Sequence, residues 1–198
     1  MENQFENYGY KISDDPGLLD KITGMTPELR GQMEMLQNKA KKGGKKNIDV
    51  LNQKIKQYPN APHLKELLSI ALMNSDNEEK SYEINDWILE EHPDYLFGFL
   101  KKAEEYIIKE EYNKIPELLG ETMEIKELYP DREEFHISEV IAFIKVSVIY
   151  FSVINNYEEA ESRYKLLEKM APDSEATEIA YTFLLLGKMK ATTELLNE

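Results

Sequence analysis

The chain has 198 residues, of which 24 are basic and 38 acidic, for a formal net charge of −14; that balance disfavours a nucleic-acid backbone or an anionic membrane as its main partner. The absence of cysteine excludes disulfides and thiolate metal sites and fits a cytoplasmic home. A hydrophobic fraction of 41% is enough for a packed core, but the apolar run 140–154 is interrupted by Lys145 and falls short of the roughly 20 residues of a membrane span.

Residues 1–27 read as an amino-terminal leader or cap rather than a repeat. Met1 to Glu6 lack the basic region and apolar core of an export signal. Tyr8, Tyr10, Ile12, Leu18, Leu19 and Ile22 follow no long helical period, and Asp14-Asp15-Pro16-Gly17 has turn chemistry. Three fates are open to this stretch: a cap folded over the first hairpin, a disordered arm, or a partner-docking segment.

The helical part is expected over 28–198. Thr26-Pro27 is a helix start, with Thr26 as N-cap and Pro27 at the first helical position. The first hairpin is placed at 28–41 and 48–57, separated near Gly43-Gly44. Five lysines flank that glycine pair (Lys39, Lys41, Lys42, Lys45 and Lys46). They lack the order of a nucleotide loop, and a solvated helix end with a flexible connector, a nucleic-acid or phosphoprotein contact, or pairing with the chain's own acidic residues all fit them. The next pair is 62–73 with 78–91, carried by Leu64, Leu67, Leu68, Ala71 and Leu72 and then by Tyr82, Ile84, Trp87, Ile88 and Leu89 at spacings of three and four. A central pair follows at 96–108 and 116–128, with Pro116 in the first turn of its helix. Residues 133–154 hold neither glycine nor proline and are dense in Ile, Val and Phe, which predicts one extended helix of about 33 Å. The chain returns over 157–169, and a last short pair is placed at 174–186 and 189–196 on either side of Gly187-Lys188.

Four corners punctuate this series: Tyr58-Pro59-Asn60, His92-Pro93-Asp94, Tyr129-Pro130-Asp131 and Ala171-Pro172-Asp173. Their prolines stand 34, 37 and 42 residues apart. Proline stops a helix by lacking a donor and by disfavouring helical geometry in the residue before it. Two helices and two connections need about 34 residues, and such a pair must stack on another to bury its apolar face. Here the chain resembles the tetratricopeptide repeat (TPR) family over roughly 48–198. Tyr157, Ala160, Leu167 and Pro172 match its aromatic, small, apolar and proline positions, and Ala180, Leu184 and Gly187 match the alanine-to-glycine run of its first helix. Ala103, Tyr106 and Tyr112 fit one further repeat, and Ser81, Ile88 and Pro93 another.

The resemblance implies an all-α, right-handed solenoid of antiparallel helix pairs whose first helices expose a concave face to a protein or peptide. Carried onto this chain, that face is His63, Glu66 and Ile70; then Phe97, Lys101, Glu104 and Ile108; then Lys145, Ile149 and Ser152. The family's Lys and Asn clamp for a terminal carboxylate is not reproduced, because Ile149 stands where asparagine would help. Residues 76–134 carry 19 acidic and 7 basic side chains, which suits solvated helix faces, a field selecting basic and partly apolar segments, or a cation. Chemistry has little to stand on. His63, His92 and His136 are scattered outside any HExxH motif; corner and capping roles account for His92 and Asp94, and paired acids such as Glu104-Glu105 have no readable separation. The expectation is a protein-binding scaffold without catalytic residues, cofactor or metal, with a structural or self-association module as the alternative.

Overall fold

In the computed structural model, which describes residues 9–197, twelve α-helices account for most of the chain and two three-residue strands are the remaining regular elements apart from a short 3-10 turn. Two compact units divide it. One spans Asp15–Lys102; the other joins the described residues before Asp15 to those from Ala103 onward.

In the first unit, α1 is Pro16–Thr23, α2 Pro27–Arg30, α3 Met33–Lys42, α4 Lys45–Gln57, α5 Pro62–Met73 and α6 Glu78–Glu91, and α7, Leu96–Ile108, begins here. Local chemistry sets the starts. Asp15 accepts from the Gly17 amide at 2.9 Å, and Thr26 accepts from the Leu29 amide at 3.2 Å, each with proline in the first turn. The single helix expected at 28–41 is broken at Gly31-Gln32, where the Gln32 amide takes a tight bond to the Leu29 carbonyl. Gly24 ends α1 at φ +65°, where any Cβ would collide with the Asn60 carbonyl oxygen. Leu29, Leu36, Leu51, Leu64, Leu68 and Ala71 form one core, with α5 packed on α3, α4 and α6.

The second unit holds the departures from a purely helical plan. Lys11–Ser13 is strand β1, and it pairs in parallel with β2, Glu134–His136. The extended helix expected from 133 therefore begins later: α10 is Ile137–Val153. Its start is a reciprocal cap in which Glu139 accepts from the His136 amide at 2.9 Å and His136 Nδ1 accepts from the Ser138 amide at 3.2 Å. The helix expected at 116–128 is two short pieces, α8 Ile115–Leu119 and α9 Ile125–Leu128. Gly120, at φ +94°, turns the chain between them, and Glu127 caps the turn at the Thr122 amide.

The two helices expected at 174–186 and 189–196 are one, α12, Glu175–Asn197. Gly187 does not interrupt it. A Cβ there would lie 3.0 Å from both the Ser152 carbonyl and the Tyr157 ring, so this glycine permits close helix approach, and Tyr157 donates to its carbonyl at 2.8 Å. Helix α11 is Tyr157–Met170; α10 packs on both α11 and α12.

Candidate functional site

The second unit contains a cleft of about 370 Å³ between α9, α10 and α11, closed at one side by Tyr10. Spacings of three and four along α10 aim Val140, Phe143 and Ile144 into it, and the same rule on α11 aims Glu159, Ser162, Arg163 and Leu166. Tyr10 precedes β1 and meets the Phe135 ring edge-on at 5.0 Å, so the strand pairing holds it in place.

Arg163 organises the rim. Its guanidinium donates to the carbonyls of Met123 at 3.0 Å and Thr122 at 2.9 Å, and to Glu124 Oε1 at 3.1 Å. It lies 5.0 Å from the Phe151 ring centre. Its buried Nε has no hydrogen-bond partner among the described residues; Glu159, at 3.7 Å, supplies charge instead. One planar fork thus fixes the turn between α8 and α9, including Met123 at φ +54°, against α11. Glu124 and Glu159 keep about half of their side-chain surface in solvent. The cleft therefore has an apolar floor and two carboxylates facing one cation.

None of the surface positions expected from the sequence lines this cleft. In the first unit, half-buried His63 shares the carboxylate of Glu66, its Nδ1 2.6 Å from Oε2, and Tyr95 donates to the same oxygen at 2.8 Å. Burial opposes charging His63, but the hydrogen bond and negative charge of Glu66 outweigh it and raise the pKa. Glu66 is buried and committed to this pair. Ile70 is half-buried against the core. Phe97 is half-buried beside Tyr95, ring centres 5.5 Å apart, and Lys101 is half-buried on the same helix.

In the second unit, Lys145 donates to Glu104 at 2.5 Å, and Ile108 is exposed. Ile149 and Ser152 correct the expected face. They are 4% and 1% exposed, and Ser152 bonds back to the Val148 carbonyl. With α11 and α12 both packed against α10, this part of α10 is interior.

A second polar cluster lies in the first unit. Lys65 on α5 is buried, pairs with Glu91, and lies 3.0 Å from His92 Nε2. Burial and the charge of Lys65 lower the His92 pKa, with Glu91 acting in the opposite direction. One helical turn on, Ser69 meets Ser81 at 2.8 Å and donates to Asn85 at 2.9 Å. These contacts bind α5 to α6.

Sequence reading missed Arg163, Glu124 and Glu159. A signal existed: Arg163 is one of three arginines among 24 basic residues, and arginine serves multi-acceptor sites better than lysine does. Among the described residues no cluster of three or more His, Cys, Asp or Glu has the geometry to hold a metal ion, and no helix is long and apolar enough to cross a membrane. The fold is that of a predominantly helical protein. In comparisons with known proteins, the chain matches no family model, no curated protein and no solved structure.

Proposed function

We propose that this protein is a TPR-like helical scaffold that binds a basic, partly apolar protein segment, and that the cleft of α9, α10 and α11 is a place where such a segment docks. The observation that carries the reading is the pairing of an apolar floor, Val140, Phe143, Ile144 and Leu166, with the half-exposed carboxylates of Glu124 and Glu159. The charge of Arg163 is already engaged by Glu124 and two backbone carbonyls, so a lysine or arginine entering beside an apolar residue finds one carboxylate in excess. The volume is that of a small binding pocket. A net charge of −14 would speed the encounter with a basic segment without fixing its register. Antiparallel helix pairs stacked as in TPR proteins, and a cytoplasmic setting, complete the proposal; catalysis, cofactors and metal form no part of it.

Calorimetry with two peptides of equal length and hydrophobicity, one rich in lysine and one in glutamate, tests it. The basic peptide binds more tightly, its affinity falls with salt, and Glu159→Lys weakens it while leaving the circular dichroism spectrum unchanged. Equal affinity for the acidic peptide overturns the reading.

A further inference from the structure

The outer face of α12 has no use in that reading. Its inner side, with Thr177, Ala180 and Leu184, is buried, and the helix packs on α10 and α11. Its other side leaves Ile179, Tyr181, Leu185, Leu186 and Met189 between 36% and 58% exposed, five of the eight exposed large apolar side chains among the described residues. A contiguous patch of this kind marks an interaction surface.

The order of residues on that face identifies what covers it. Glu175, Ile179, Leu186 and Lys190 are all exposed, and their separations are four, seven and four. At about 100° per residue they lie within roughly 60° of arc, a single stripe. The spacing is the same read from either end, while the charge reverses from acid to base. We infer that a second copy of this chain packs against the stripe, α12 against α12, antiparallel about a twofold axis between Thr182 and Phe183.

That axis sets Ile179 opposite Leu186 of the second copy, and Glu175 opposite its Lys190. Met189 and, further round on the same side, Leu185 lie beside the stripe and widen the apolar contact, whereas the Tyr181 ring lies 5.5 Å from that of Tyr164 on α11. A parallel pairing places Glu175 on Glu175 and Lys190 on Lys190, so the two end charges select orientation. The apolar pairs supply most of the affinity, because exposed ion pairs contribute little. The inference is independent of the cleft and of the segment proposed to bind there.

Light scattering coupled to size exclusion on the full chain tests it. Wild type has twice the 23.1 kDa mass of one chain at high protein concentration and dissociates on dilution. Leu186→Glu changes a solvent-exposed residue, keeps the helical circular dichroism signal, and raises the dissociation constant by about tenfold or more. Lys190→Glu alone weakens association, and Glu175→Lys combined with Lys190→Glu restores it, since in the antiparallel register the exchanged charges again meet their opposites. Because the chain has no cysteine, Thr182→Cys supplies a second readout and gives a disulfide-linked dimer on mild oxidation. A monomer at all concentrations, a dimer indifferent to Leu186→Glu, or a double charge exchange that fails to restore association overturns the inference.

Discussion

Lys65 holds its ammonium nitrogen 4.0 Å from the centre of the Trp87 ring, with only 1% of its side chain in contact with solvent. Its carboxylate partner, Glu91, keeps 51% of its side chain exposed. Hydrogen bonds from Lys65 and Trp87 lower the Glu91 pKa. The pair is therefore asymmetric: the cation has lost its water and the anion has not.

From that asymmetry comes an ordering of two substitutions. Lys65→Met keeps the stem volume and leaves Glu91 in the water it already has, so little stability is lost. Glu91→Gln leaves a buried ammonium with weaker compensation and is the more damaging. Urea titration of both variants checks the order, and a larger loss for Lys65→Met contradicts it.

His63 and His92 give the first unit opposing pH responses. The His63 pKa is raised by Glu66 against the effect of burial, so its contribution is complete below the unfolded value near 6.5 and is lost as pH rises through the folded pKa. The His92 pKa is lowered, so its contribution is complete above about 6.5 and is lost as pH falls through the folded pKa. His63→Gln then costs most at acid pH, and His92→Gln flattens the acid side of the stability curve. Denaturation midpoints between about pH 5 and 8 separate the two, and parallel curves for all three proteins count against this reading.

Arg132 clamps Glu139 with two donors, at 2.9 and 2.5 Å. Glu139 is completely buried and also accepts from the His136 amide. Glu139→Ala leaves the guanidinium and that amide without their acceptor at the start of α10. Because Arg132 is 24% exposed, the cost falls somewhat below that of breaking a fully buried pair, at roughly 2–4 kcal/mol. Chemical denaturation measures it, and a loss under about 0.5 kcal/mol shows that water replaces the bond.

Ala160 is fully buried on α11, which packs on α10. Three added side-chain carbons have no space there, so Ala160→Leu destabilises the protein by about 1–3 kcal/mol, the scale of core overpacking. Unchanged stability of the variant in urea refutes the close packing.

The sequence by itself determined the parts whose signals are local. Helices α5, α6 and α7 span the residues read from their apolar periods and proline corners, and α11 ends one residue later than expected. Capping and the missing proline donor act within one turn, so these boundaries are written where they occur. Tertiary structure decided what depends on distant chain. Lys11–Ser13 is a strand because Glu134–His136 lies beside it, more than a hundred residues away; neither segment has enough alternation to declare itself. Gly187 has the composition of a break, yet it sits inside α12 because Ser152 and Tyr157 approach it. Ile149 and Ser152 carry the same helical period as a surface residue would, and their burial follows from α11 and α12 covering the two sides of α10. The cleft at Arg163 likewise arises where three segments converge, and periodicity within any one of them carries no record of the other two.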